Sequence, residues 1–311
     1  MESWQLKQMQ SLPLEVKILK TQLRIREWYE AWEGNVYVSF SGGKDSTVLL
    51  KLVRELYPDV EAVFIDTGLE YPEIKEFVGT KENVVWLKPK MTFNKVVEHY
   101  GYPLISKDVS NCLHYARKGS LWATQKLLGL SKGGEESAFK QRYKKWAFLQ
   151  DAPFRVSHMC CEELKEKPFR VYEKLTKLRP FIGLMAEESN RRRDAYLATG
   201  CNSFEGKLPS SKPISFWLNQ DILQYIKKFN LPYAKVYGDI INTSNGLITT
   251  GATRTGCMFC MFGVHLEKGE NRFQRMSRTH PKQYDYCINK MGLGEVLDYI
   301  GVDYRVNSLF G

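Results

Sequence analysis

Residues 41–46, Ser-Gly-Gly-Lys-Asp-Ser, place two adjacent glycines, a lysine, an aspartate and two hydroxyls in six positions. A β-rich apolar run, 35–40, leads in, and a helix-like run, 46–57, leads out. A strand, a glycine-rich turn and a helix start together make an anion site. Glycines let the backbone approach the ligand, and N–H groups at a helix N-terminus point at its charge. Lys44 adds a point charge for phosphate or sulfate. Ser41 and Ser46 can donate hydroxyl hydrogen bonds, and Asp45 can cap the helix or hold a magnesium ion. The loop is not G-x-x-x-x-G-K-[ST], which needs four residues between its glycines. The plainer reading is an ordinary capped turn.

Cysteines form the second constellation. Cys160 and Cys161 are adjacent, and Cys257 and Cys260 form a C-x-x-C; Cys112, Cys201 and Cys287 stand alone. Thiolates are soft ligands for iron or zinc. Two neighbouring thiolates are awkward at two corners of one zinc tetrahedron, whereas a cubane cluster offers them separate irons. From spacing alone a redox dithiol, half of a zinc site, a cluster and buried structural cysteines all stay open.

The elements that must position these groups alternate. Residues 14–33 read as an amphipathic helix, 35–40 as a strand, 46–57 as a helix, 60–66 as a strand, 71–79 as a helix and 83–88 as a strand. Residues 178–186 return to a strand and 219–230 to a helix. Such alternation implies parallel pairing with right-handed crossovers. The expected fold is therefore α/β, a Rossmann-like parallel sheet with helices on both faces. The expected domains are an N-terminal helical segment (1–34), a nucleotide-binding domain (35–235) with a helical insertion near 101–150, and a Cys-bearing C-terminal portion (236–311). Residues 238–256 read as an irregular loop, and 280–300 as helical.

Composition narrows the setting. The formal net charge of +10 suits a polyanionic partner or anionic small substrates, as well as a merely basic surface. No run approaches the roughly 18 apolar residues of a membrane span. The first residues lack a signal peptide's apolar core, and seven cysteines without a signal argue against a disulfide framework. The expectation is a cytoplasmic protein with no membrane partner.

Six segments carry a family resemblance. Residues 39–46, S-F-S-G-G-K-D-S with its strand reading, resemble the PP-loop of the ATP-pyrophosphatase superfamily, whose fold is adenine nucleotide alpha-hydrolase-like. Residues 64–73 (FIDTGLEYPE), 183–192 (GLMAEESNRR) and 213–233 (PISFWLNQDILQYIKKFNLPY) resemble segments of the branch containing adenylyl-sulfate and phosphoadenylyl-sulfate (PAPS) reductases. Residues 160–168 and 255–260 resemble the paired cysteine motifs of its iron–sulfur members. The resemblance implies that Ser41, Gly42, Gly43, Lys44, Asp45 and Ser46 hold the phosphate or sulfate end of a nucleotide. Asp66, Thr67 and Gly68 would stand at the sheet's carboxyl edge, with Glu188, Ser189 and Arg192 lining the same cleft. Lys44, Asp45 and Arg192 would carry the catalysis. Cys160, Cys161, Cys257 and Cys260 would ligate a 4Fe-4S cluster. Met185 stands where the family commonly has an arginine, so the anion bound can differ.

The reductases usually carry a tail cysteine in an E-C-G-[IL]-H setting, whose thiolate attacks the sulfate sulfur. No cysteine follows Cys287 here, and Cys287 lacks the G-[IL]-H. That favours the superfamily's other activity: ATP and Mg2+ bind the loop, an acceptor is adenylylated, pyrophosphate leaves, and sulfur displaces AMP. Members similar to this chain include proteins of DNA phosphorothioation. The aromatic, lysine-rich stretch 101–150 would suit a nucleic-acid acceptor, or form a helical cap over the cleft. Expected partners are thus an adenine nucleotide, a nucleic-acid acceptor and a sulfur-donor or thiol partner protein. The alternatives are a sulfite-forming reductase and an accessory subunit with a structural cluster.

Overall fold

The structure is a computed structural model that describes residues 2–206 and 208–306. Its chain divides into two compact units. The first takes the residues up to Asp66, Glu70–Lys88 and Pro168–Thr255; the second takes Thr67–Leu69, Pro89–Lys167 and the residues from Gly256 onward.

Among the described residues ten strands occur: β1 (Val36–Ser39), β2 (Ala62–Ile65), β3 (Val84–Leu87), β4 (Leu104–Ile105), β5 (Arg179–Ile182), β6 (Asn202–Ser203), β7 (Ser210–Ser211), β8 (Ile240–Thr243), β9 (Gly246–Thr249) and β10 (Met261–Phe262). Six of them form the first unit's sheet, in the order β3-β2-β1-β5-β7-β6. Every pairing is parallel except β6 with β7. All four β2 residues are buried, as expected of a parallel strand covered on both faces. From β1 the chain builds outward through β2 and β3, then returns to β1's other side as β5. The order therefore reverses between β1 and β5, and α/β sheets bind ligands beyond the carboxyl ends of such a pair.

Flanking helices obey their apolar spacing. The helix Lys44–Leu56 buries Val48, Leu49, Leu52 and Val53 on one stripe. The helix Leu14–Ala31 buries Ile25 and Trp28. It also inserts Lys17, whose Nζ lies 2.6 Å from Asp221 Oδ2, while Leu218 N donates to the same oxygen at 2.7 Å. A buried ion pair answered this fully avoids the penalty of a lone interior charge.

Three readings need revision. Residues 240–249 are a β8–β9 hairpin inside the stretch expected to be irregular. Its Asn245-Gly246 step is a hairpin signal, and Gly246 takes φ +104°, a conformation that favours glycine. The helix Arg272–Thr279 precedes the stretch read as helical, 280–300. The units also cut the chain differently from boundaries at 35–235 and 236–311. The segment 236–255 packs in the first unit, with Tyr237 in its core.

In the second unit the helical stretch after residue 89 closes on the C-terminal portion. β4 pairs in parallel with β10, Leu104 opposite Met261 and Ile105 opposite Phe262. Tyr102 donates to Met291 O at 3.1 Å, and Asn94 Nδ2 to the Tyr286 hydroxyl at 2.9 Å. No helix among the described residues is long and apolar enough to cross a membrane.

Candidate functional site

The loop after β1 is wound by its own hydrogen bonds. Ser41 N donates to Ser46 Oγ at 3.2 Å, and the two hydroxyls lie 3.0 Å apart. Gly43 N donates to Ser41 Oγ at 3.3 Å. Ser46 Oγ and Thr47 Oγ1 both donate to Gly43 O at 2.9 Å. The helix starts at Lys44, two residues before the expected start, with Gly43 as its N-cap, so Asp45 lies in the first turn and does not cap. Gly42 is the more constrained of the two loop glycines. Gly42 has φ +70°, and a Cβ there would stand 2.7 Å from Val78 Cγ2 and 2.8 Å from Ile74 Cγ2. A Cβ on Gly43 would meet Ser41 Oγ at 3.2 Å and the Tyr237 hydroxyl at 3.3 Å.

Lys44 is nearly fully buried. Its Nζ lies 3.3 Å from Asp45 Oδ1 and donates to Thr253 O at 3.4 Å. Its backbone N–H, one of the helix-start amides suited to an anion, donates instead to the Tyr237 hydroxyl at 3.2 Å. Tyr237 and Thr255 share a hydroxyl hydrogen bond of 2.6 Å. Burial pushes the Tyr237 phenol up to about 12, so it is neutral. Tyr237, Thr253 and Thr255 were not legible as site residues. Tyr237 lies 193 residues and Thr253 209 residues from Lys44 in sequence, and the chain between them passes through a hairpin with no motif of its own.

The strand beside β1 ends at the loop too. A Cβ on Gly183, just past β5, would sit 3.1 Å from Ser46 Cα and 3.2 Å from Ser46 N, so only glycine lets the two segments touch. Beyond it, Met185 is buried in the core. Ser189 caps the helix Asn190–Thr199, its Oγ accepting from Arg192 N at 3.3 Å. Glu188 is clasped by two guanidiniums, ion-paired with Arg192 and 2.8 Å from Arg254 Nη2. Burial lowers the Arg192 pKa, Arg254 adds to that through repulsion, and Asp45 opposes it. Lys44, Arg192 and Arg254 therefore supply the first unit's site with positive charge, and Arg254 is a cation the sequence reading missed.

Other expected residues are placed differently. Asp66 follows β2 and pairs with Lys75 Nζ at 2.8 Å, so its carboxylate is already engaged. Thr67 and Gly68 belong to the second unit, where Thr67 Oγ1 accepts from Leu69 N at 3.2 Å.

The four cysteines come together in the second unit. Cys160, Cys161, Cys257 and Cys260 line one cavity of about 20 Å³ with Leu69, Phe93 and Lys165. Parallel pairing of β4 with β10 fixes the C-x-x-C loop, as do Met258 N donating to Leu69 O at 2.8 Å and Arg272 Nη1 to Cys260 O at 2.9 Å. Cys160 Sγ and Cys161 Sγ are 4.0 Å apart. That is close to the edge, roughly 3.8 Å, of a thiolate tetrahedron around one zinc. Adjacency by itself is therefore no obstacle to zinc, contrary to expectation. Yet no three His, Cys, Asp or Glu side chains among the described residues are placed to hold one ion. The Cys160 hydrogen bond, with Lys107 and Lys165 nearby, lowers the pKa of the Cys161 thiol, against the opposing effect of burial. The same hydrogen bond and burial raise Cys160. Burial pushes Cys260 up to about 11, with Arg272 acting against it. Cys112, Cys201 and Cys287 are buried elsewhere, and burial pushes Cys201 and Cys287 up to about 12.

A mostly parallel sheet carrying a glycine–lysine loop at its switch point defines a doubly wound α/β protein. The chain belongs to the phosphoadenosine phosphosulfate reductase domain family, which matches residues 35–114 and 126–261. It is 38% identical over 273 residues to an uncharacterized protein of Methanocaldococcus jannaschii, covering 85% of this chain and 50% of that one. A second uncharacterized protein of that organism is 27% identical, over 85% of this chain and 43% of its own length. The chain thus spans about half the length of these two curated relatives. The phosphoadenosine 5'-phosphosulfate reductase of Aliivibrio fischeri (strain MJ11) is 25% identical, over 78% of this chain and 76% of the relative. Among solved structures, the phosphoadenylyl-sulfate reductase of Candida auris matches with a TM-score of 0.41 and 15% identity, over 74% of this chain and 90% of that one.

Proposed function

We propose that the chain is an adenine-nucleotide-dependent enzyme that binds ATP at residues 41–46 and cleaves it between the α- and β-phosphates in support of sulfur transfer. The observation that carries this is Lys44, a nearly buried ammonium in a loop prewound at the sheet's switch point. The amides of Gly43 and Lys44 and the hydroxyls of Ser41 and Ser46 would hold the phosphates, with Arg192 and Arg254 at the cleft's edge. An acceptor's nucleophilic atom forms its bond to the α-phosphorus. The bond to the bridging oxygen breaks, and pyrophosphate leaves with the electron pair. A sulfur nucleophile from a donor protein then displaces AMP. Lys44 and Arg192 oppose the charge that grows on the leaving oxygens.

Asp45 fits a magnesium ion, since its Oδ1 is buried and accepts no hydrogen bond. One carboxylate oxygen with substrate oxygens and water is an ordinary set for this metal, which would neutralise phosphate charge there. The thiol set fits an iron–sulfur cluster. Four cysteines face one cavity, and Lys107, Lys165 and Arg272 offset thiolate charge. The cavity's size means that their Sγ atoms must turn outward to admit a 4Fe-4S cluster, which would bind sulfur or serve as a structural centre of the second unit. The acceptor we favour is nucleic acid, on the basic charge alone.

A second reading, a reductase that forms sulfite from adenylyl sulfate or its 3'-phosphorylated relative, is favoured by the family itself. Its nucleophilic thiol would come from outside the described residues, because Cys112, Cys201 and Cys287 are buried. Calorimetry on anaerobically purified protein separates the readings. Tighter binding of Mg-ATP, with pyrophosphate released on adding acceptor, supports adenylyl transfer. Tighter binding of a sulfated nucleotide, with thiol-dependent sulfite release, replaces it with reduction.

A further inference from the structure

The second unit has another cavity, of about 350 Å³, lined by His99, Tyr100, His114, Arg117, Lys118 and Arg155 together with Val156. No carboxylate is in that lining. Three permanent cations and two imidazoles therefore share one concavity with nothing of opposite sign on its walls. None of Arg117, Lys118 and Arg155 makes an ion pair among the described residues, unlike most of the cations around Lys44.

Arg117 is locked. Its Nε donates to Gln150 O at 2.9 Å, Nη1 to Phe154 O at 2.6 Å, and Nη2 to Leu149 O and Ala152 O at 2.9 Å. Four carbonyls fix the position of the guanidinium without cancelling its charge. Arg155 donates through Nη2 to Glu98 O, which leaves Nε and Nη1 for a ligand. Gly101, at φ +107°, permits this wall, since a Cβ there would lie 2.3 Å from Arg155 O. Lys118 is exposed. Burial first lowers the pKa of Arg117, with Asp151 and Tyr299 acting against it and Arg155 adding to it by repulsion; burial and then Lys118 lower that of His114. An anion would relieve that repulsion. The remaining lining is planar, with the His99 and Tyr100 rings edge to face at 4.4 Å. The volume is at the small end of ligand pockets, about 300–1,000 Å³, and holds one ring with one phosphate.

We propose that this cavity binds a small organic phosphate ester, its phosphate meeting Lys118 and Arg155 and its ring lying against Tyr100 and His114. The site is independent of the loop at 41–46. Cations and imidazoles, rather than a glycine-rich turn, would hold the anion.

The test is calorimetric titration of the full chain with phenyl phosphate, and with phenol as the uncharged control. We expect saturable 1:1 binding of phenyl phosphate and none of phenol. Lys118→Ala and Arg155→Ala should each weaken it about tenfold, the scale of a lost charge-assisted hydrogen bond. Lys44→Ala should leave it unchanged. Both pocket residues are exposed, so thermal unfolding should show both variants intact. Absence of saturable binding overturns the site. So does binding that disappears in Lys44→Ala but survives in Lys118→Ala and Arg155→Ala, which would return the anion to the loop. Displacement of the probe by a single-stranded oligonucleotide at lower concentration than the probe itself overturns the small-molecule occupant.

Discussion

Around the loop at 41–46 charges and hydroxyls meet opposite partners; in the second unit's cationic cavity like charges gather with no carboxylate in the lining. Lys44 has Asp45 and Thr253 O, its amide has Tyr237, and the two serines bond each other. In the second unit four thiols line one small cavity, and Arg117, Lys118 and Arg155 face a concavity whose lining holds no carboxylate. Self-satisfaction makes the loop rigid before any ligand arrives, so a nucleotide must replace contacts that already exist. Unanswered groups do the reverse: they cost stability until something binds.

If the loop is the reacting centre, Lys44→Ala should show the largest effect. Nucleotide turnover should fall at least about a hundredfold, as when one charge-stabilising donor is removed, with circular dichroism unchanged. Turnover that survives would remove the loop from the chemistry. On the other side of the comparison, Cys161→Ser and Cys257→Ser should each lose most of the iron and acid-labile sulfide of anaerobically purified protein. Cys287→Ser should keep both, because Cys287 is buried away from the set, its Sγ 3.4 Å from Tyr284 O. Iron retained equally in all three variants would end the cluster assignment.

These two regions were also unequally legible. The loop is contiguous, so its glycines, lysine and serines announced the anion site, and the alternation around it gave the parallel sheet. The cysteine set is split by 96 positions, and spacing left its metal open. What joins it is the two-residue pairing of β4 with β10, too short for any periodicity to reveal. Tyr237 and Arg254 escaped notice because their roles depend on where a hairpin returns the chain. Ser189 and Asp66 were read as ligand groups, yet the structure has them capping a helix and pairing with Lys75. A motif names residue types; only the fold decides which of their atoms are already engaged.

Two smaller changes probe the loop's self-satisfaction. Gly42→Ala adds a Cβ at φ +70° against Val78 and Ile74, and should cost about 2 kcal/mol or more of unfolding free energy, measured by denaturant. Tyr237→Phe removes the acceptor of the Lys44 N–H and should cost about 1 kcal/mol in the free protein. In the nucleotide complex a phosphate oxygen would take that N–H, so affinity should rise about fivefold, the same increment seen from the other side. Weaker binding instead would make the phenol a ligand contact rather than a competitor.

The smallest effect should come from His114, at the edge of the unanswered region. Burial first, then Lys118 and His158, lower its pKa from 6.5 to about 4. A depressed imidazole is held neutral by the fold, so the unfolded chain takes the proton first as the pH drops below 6.5. Stability is full above that value and falls as the pH goes from 6.5 toward about 4. The urea midpoint should therefore be lower at pH 5 than at pH 7.5, and His114→Gln should narrow the gap without closing it, since His158 is depressed in the same direction. Phenyl phosphate gives this a sharper edge. An anion in the cavity favours the protonated ring, so saturating probe should narrow the gap in the wild-type chain but not in Arg155→Ala. A gap indifferent to the probe in both chains would mean that the cations around His114 hold no anion there.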